Sequence, residues 1–309
     1  MPARTRQEHA AIATTTVTER TSETPHLRLA PRVRELWGYR EILANLVRKE
    51  LKVKYTASFL GAIWSLLNPV VFLAVFSFVV IVLDNRVPAF PVFLLSGLLA
   101  WNLFSASLLS GSSSVIDNSN LVKKVAFPRE ILPLASVGVA VVDFVLQTGV
   151  LLAFIAVSGR GIGPVALALY PLALITLMVF TTATTLWTSA LNVRYRDVGH
   201  LLNLGLLVWF WITPIVYQAA LVRSTLATRE IAGVSLWNVY LLNPLASIVL
   251  GFQRALYGEP VQAGEQVLPD VSVAWQAGVL TIVLAISSVF LLFAWRTFFR
   301  RSGDFAEEL

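Results

Sequence analysis

The chain has 309 residues, of which 56% are apolar and 14% charged, with no cysteine and a mean hydropathy of +0.72. An ordinary soluble domain carries about 25% charged residues, so the composition excludes one, and the missing cysteines exclude disulfides, thiol chemistry and cysteine-ligated metal. The formal charge of +6 comes from Lys and Arg at the ends of apolar runs, which points to a membrane and not to nucleic acid.

Residues 1–32 are rich in Thr, Ala and charge and lack a 7–15-residue apolar h-region, so they read as a flexible cytoplasmic leader rather than a signal peptide. Residues 33–55 place Leu36, Tyr39, Leu43, Leu46, Val47 and Leu51 on one helical face and charges on the other. This spacing predicts an amphipathic helix on the inner leaflet, with Arg40, Arg48, Lys49 and Lys52 facing anionic headgroups or a charged substrate. The first uncharged run, 58–83, is 26 residues, about 39 Å as a helix, enough to cross a hydrocarbon core of about 30 Å. Further runs follow at 88–111, 131–157, 164–191, 201–222 and 271–295, interrupted only by Asp143.

A seventh run, 231–253, holds Asn243 and Pro244 in its middle, which would leave backbone groups unsatisfied in lipid. Charge decides its topology. If it does not cross, 19 Lys and Arg lie on one side and five on the other, as the positive-inside rule requires. The expected fold is therefore an all-α integral membrane protein of six transmembrane helices. Both termini are cytoplasmic, with 302–309 a cytoplasmic tail, and 231–253 is a re-entrant helix pair on the outer side, Asn243 and Pro244 forming its bend.

The chain contains no GxxxxGK[ST] loop, HExxH, GxSxG or DxD motif, so it shows no glycine-rich cradle for ATP phosphates and no motif that supports a membrane-embedded enzyme. An ATP-driven body would need a separate ATPase. Asp143 is the one charge near a span's middle, a functional candidate by default; since the six runs contain no Lys or Arg, its expected partners are water or groups such as Gln147. Between the second and third runs, Leu121 to Phe127, with Val122, Lys123 and Lys124 among them, form a predicted short helix capped by Ser119 or Asn120 and limited by Pro128, after which come Arg129 and Glu130. With Val125 they make a knob suited to a groove on a soluble partner, or simply a charged topogenic loop. Arg194, Arg196 and Asp197 crowd the next short loop. Trp64, Trp101, Phe104, Trp209, Phe210, Trp211 and Tyr217 lie in spans one, two and five, where rings either stack on sugars or mark the membrane interfaces.

Four strings, LKVKYTASFLGAIWSLLNPV (51–70), FLLSGLLAWNLF (93–104), NLVKKVAFPREILP (120–133) and NVRYRDV (192–198), resemble in order the permease subunits of type-2 ABC exporters. The subgroup is the one that exports O-antigen, teichoic acid and related envelope polysaccharides. The resemblance implies a homodimer in the bacterial cytoplasmic membrane, paired with two copies of an ATP-binding subunit that holds ATP and Mg. Its cargo is a glycan, often on a polyprenyl diphosphate lipid. By the same resemblance 33–55 is an interface helix, 120–130 a coupling loop supported by Arg194, Arg196 and Asp197, and Asn243 and Pro244 part of an extracellular gate; on the chemistry of their side chains the aromatic residues are candidates for a substrate pathway, and Asp143 for that pathway or for a structural hydrogen bond between helices. The alternatives are export of a small lipid or drug, or a membrane enzyme acting on a lipid carrier.

Overall fold

A computed structural model describes residues 29–56, 61, 63–82, 87–159, 161–231 and 233–309. Most of the expected leader, 1–28, lies outside the described residues. The N-terminal segment forms two helices, α1 (Leu29–Gly38) and α2 (Arg40–Thr56). The single amphipathic helix expected over 33–55 is thus divided at Gly38 and Tyr39, where glycine has the poorest helix propensity of any residue but proline. α2 does not simply lie on lipid. Leu46 is buried, Leu43 and Val47 pack beside it, and Val47 approaches the backbone of Gly138 so closely that a Cβ there would meet its Cγ2 at 2.8 Å.

The body then runs α3 (Ile63–Val82), α4 (Phe90–Asp117), α5 (Ser119–Lys124), α6 (Ile131–Val157), α7 (Pro164–Arg194) and α8 (Val198–Ile212). Next come α9 (Ala219–Leu226), the hairpin β1 (Glu230–Ile231) and β2 (Val234–Ser235), α10 (Leu236–Tyr240) and α11 (Pro244–Leu256). A second hairpin, β3 (Val261–Gln262) with β4 (Glu265–Gln266), precedes α12 (Val273–Arg301) and α13 (Phe305–Glu308). Four helices, α4, α6, α7 and α12, are long and apolar enough to cross a membrane; α3, α8 and α11 contribute shorter apolar stretches. α8 ends at Ile212 although its uncharged run continues to 222, because Pro214 removes a donor and the backbone bends over 213–217. Its 15 residues span about 22 Å.

α4 is the central helix. Phe93, Leu94, Leu98, Leu99, Leu103 and Phe104 are each at most 2% exposed, enclosed by α6, α7 and α11. α4 packs along α7, and small residues are buried on both helices, Ser107 and Gly111 on α4 and Thr181, Thr185 and Ser189 on α7. A Cβ on Gly111 would lie 2.1 Å from the Thr185 Cγ2, so the backbones approach as only a glycine permits. Along α7 the hydroxyls of Thr176, Thr184 and Thr188 donate to carbonyls one turn back, which satisfies them without a partner helix. Outward faces are apolar: Leu204, Leu207, Val208 and Trp211 on α8, Ile282, Ile286, Val289 and Phe293 on α12, recurring at helical spacing as surfaces facing lipid or another subunit do.

A second apolar cluster closes the end of the bundle that carries the 118–130 and 195–197 loops. Leu46, Val115, Val122, Ile131, Leu186, Val193, Phe298 and Phe305 form it. The terminal stretch expected to be a plain tail therefore carries an anchor: Phe305 is fully buried against Phe298, ring centroids 5.3 Å apart.

Candidate functional site

The loop between α4 and α6 combines an exposed tip and a fixed base. α5 starts at Ser119 with Asn118 as its N-cap residue, not Ser119 or Asn120, and it stops at Lys124, with Val125 extended. The Asn118 side chain is occupied elsewhere, donating to the Ser114 carbonyl. Asn120, Lys123, Lys124, Val125 and Ala126 are exposed, Val122 is buried, and Leu121 and Phe127 pack against the second cluster. Burial also lowers the Arg129 guanidinium from its ordinary pKa.

Glu130, expected among the polar contacts of the knob, is instead fully buried. Arg32 grips it with two bonds, Nε to Oε1 at 2.9 Å and Nη2 to Oε2 at 2.7 Å, and Trp295 Nε1 donates to Oε1 at 3.3 Å. Arg32 also lies over the Phe299 ring, 4.8 Å from its centroid. Burial alone would lower its pKa, but Glu130 and Glu35 hold it above the ordinary value. α1, the base of the loop and α12 thus meet at one carboxylate. Arg32 was hidden at the end of the expected leader, and the sequence offers only its charge as a signal.

Arg194, Tyr195, Arg196 and Asp197 are all exposed at the same end of the bundle, Arg194 against the Tyr195 ring. The buried organiser nearby is Asn192, whose Nδ2 donates to the Ser112 carbonyl and whose Oδ1 accepts from the Gly199 amide. It ties α4, α7 and α8 together. Arg40, Arg48, Lys49 and Lys52 on α2 are exposed.

The described aromatic candidates do not form an open ring within one chain. Trp101, Phe104 and Phe210 are buried, with Trp101 on Phe210 at 5.3 Å and Phe104 on Trp209 at 5.2 Å and on Phe180 at 5.5 Å. They glue α4, α7 and α8. Trp211 is exposed, Tyr217 donates to the Trp211 and Ile212 carbonyls, and the Trp64 side chain lies outside the described residues. Asn243 caps α11 by accepting from the Leu245 amide and the Trp209 indole, and donates to Thr213. At the other end of α11, the Tyr257 hydroxyl donates to the Pro88 carbonyl, just before α4, and Gln253 donates to the Pro214 carbonyl.

Asp143 has a cationic partner after all. Lys54 Nζ stands 2.6 Å from Oδ2 and the Tyr55 hydroxyl 2.5 Å from Oδ1. The expectation of no ion pair considered only the spans; α2 docks along α6 and delivers Lys54 from outside them. Gln147 accepts from Asn102 at 2.9 Å. Lys54, Asn102, Asp143 and Gln147 line a cavity of about 310 Å³ between α3, α4 and α6, with Asn68 and Ser105 also in its wall. A second, of about 370 Å³, is bounded by Lys49, Glu50, Lys54, Ser110, Ser114 and Asp117.

A family model described as ABC-2 type transporter matches residues 42–257. The chain is 33% identical over 281 residues to the O-antigen export system permease protein RfbA of Myxococcus xanthus, covering 90% of this chain and 98% of that one. Two Klebsiella pneumoniae proteins of the same name are 28% identical over 248 residues, covering 80% of this chain and 90% of theirs, and 30% identical over 215 residues, covering 69% and 79%.

Proposed function

This chain belongs to the ABC-2 type transporter family, and on that premise we propose that it is the membrane subunit of an ATP-driven exporter of an envelope polysaccharide. The observation that carries the reading is similarity to an O-antigen export permease along nearly the whole of both chains. ATP and Mg belong to a separate ATP-binding subunit, two copies of which pair with a homodimer of this chain in the bacterial inner membrane. The glycan rides on a polyprenyl diphosphate.

Six spans, with both termini cytoplasmic, accord with the four long apolar helices, the 20 residues of α3, and α8 continued through the bent 213–217 segment. Re-entry of α11 is supported by its ends: Tyr257 meets the start of α4, while Asn243 reaches Trp209, a neighbour of Phe104, which lies 14 residues or about 21 Å along α4. Asn243 and Pro244 then bend an extracellular gate, α2 serves as interface helix with its basic face toward headgroups, and Trp64, Trp101, Phe104, Trp209, Phe210, Trp211 and Tyr217 steady or flank the conduit.

The exposed residues of the tip, Asn120 and Lys123 to Ala126, dock in the ATPase, with Arg194, Arg196 and Asp197 beside them. Coupling requires that this tip bind the two ATPase states unequally. The Lys123→Glu, Lys124→Glu double variant should insert normally, lose surface glycan and fail to co-purify a Walker-motif subunit. Normal export and an intact ATPase complex in that variant would overturn the docking assignment; a well-folded parent that never co-purifies an ATPase would overturn the exporter reading.

A further inference from the structure

The Asp143 cavity has a chemistry that topology alone does not require. A carboxylate held only to pin two helices packs dry, whereas this one adjoins about 310 Å³ of space, room for about ten waters at roughly 30 Å³ each. That volume is also at the lower end of the range of small-ligand pockets. Its wall is built from groups that donate and accept together, the amides of Asn68, Asn102 and Gln147 and the Ser105 hydroxyl, beside the Asp143 carboxylate and the Phe144 side chain.

The wall continues toward the loop end of the bundle. Lys54 borders both cavities, and along α4 the residues Asn102, Ser105, Ser110, Ser114 and Asp117 recur three to five apart on this side. Charge narrows the ligand. Within this cavity Lys54 is offset by Asp143, and in the adjoining one Lys49 and Lys54 face Glu50 and Asp117, so the lining carries no net positive charge and disfavours a phosphate or diphosphate. Amides, a hydroxyl, a carboxylate and an aromatic side chain suit a neutral polyhydroxylated ring.

We propose that the cavity between α3, α4 and α6, closed at one side by the Lys54–Asp143 pair, binds a neutral sugar residue of the exported polymer, one site in each protomer. The inference rests on the export reading above. Its test exploits the absence of native cysteine: Ser105→Cys, or Ala106→Cys should the first fail to assemble, places a single thiol in the wall. Inside-out vesicles bearing the assembled transporter are treated with a charged methanethiosulfonate reagent, with and without oligosaccharides released by mild acid from the same cells' envelope glycan. The cavity thiol should react, whereas Val289→Cys on the outward face of α12 should not. Oligosaccharide at about twice its Kd should slow the reaction about threefold, inorganic pyrophosphate should leave it unchanged, and adding Asn102→Leu with Gln147→Leu should abolish the protection.

An unreactive thiol, protection by pyrophosphate alone, or no protection by either overturns the site. Depletion of the chain separates the two levels. Loss of surface glycan together with an unprotected thiol rejects the cavity and leaves the export reading standing, whereas unchanged surface glycan rejects the export reading itself.

Discussion

Replacing Arg32 by Ala isolates the node that holds the loop before α6. Both Glu130 oxygens are engaged by the guanidinium, and the carboxylate side chain is 1% exposed against 15% for Arg32, so the two truncations are not equivalent. Arg32→Ala leaves a buried carboxylate with one indole bond at 3.3 Å, and removing one partner of such a pair costs about 3–5 kcal/mol. Glu130→Gln keeps a side chain of the same length but turns charge-assisted bonds into weaker ones, roughly half as strong, a loss of about 1–2 kcal/mol. At about 2 °C per kcal/mol for a chain of this size, Arg32→Ala should melt about 6–10 °C below the parent, and Glu130→Gln about 2–4 °C. Arg32→Met with Glu130→Leu removes both charges together and should recover most of the loss. The readout is the temperature at which the detergent-solubilised protein loses its monodisperse elution peak. An Arg32→Ala protein that melts with the parent, or a double variant as damaged as both singles combined, would refute this account.

Gly111→Ala should lower stability by about 1–3 kcal/mol, the cost of overpacking, because its new methyl meets Thr185 Cγ2. Adding Thr185→Ser, which deletes that methyl and keeps the hydroxyl, should restore the melting temperature. Burial raises the Glu50 carboxyl above its ordinary value of 4.5, with Lys49 opposing and Asp117 adding to the rise. Its ionisation in the folded state therefore costs stability. The cost is absent at low pH, where the group is protonated in both states, and it grows as pH rises through the elevated folded value. Glu50→Gln should accordingly melt above the parent near about pH 8 and with it near about pH 4; a gain at low pH only would contradict the assignment.

Long-range pairing is what escaped the sequence. The run 131–157 and helix α6 share both ends, since apolar length and the flanking charges define them locally. The break at Asn243 and Pro244 likewise sits where α11 begins, with proline in the first turn and Asn243 as its cap. Pro214, inside the 201–222 run, carried the signal for the early end of α8. By contrast Lys54 and Asp143 stand 89 residues apart, and nothing in a periodicity says that α2 will climb along α6 far enough to join them. The burial of Glu130 by Arg32, across 98 residues, was hidden for the same reason. The aromatic residues of α4 and α8 were legible as a group, but whether a ring faces a path or a neighbouring helix is set by helix rotation, which composition does not encode.

The fully buried Phe305 gives the last residues of the chain a practical weight. α13 rests against α5 and α7, directly behind the loop tip assigned to the ATPase, and Leu309 packs on the same cluster. A purification handle fused after Leu309 would emerge from this packed corner and crowd the surface whose partner it is meant to capture. A tag fused ahead of Met1 stands 28 residues from Leu29, the first described residue, and a comparison of the two fusions would separate a lost partner from an obstructed one.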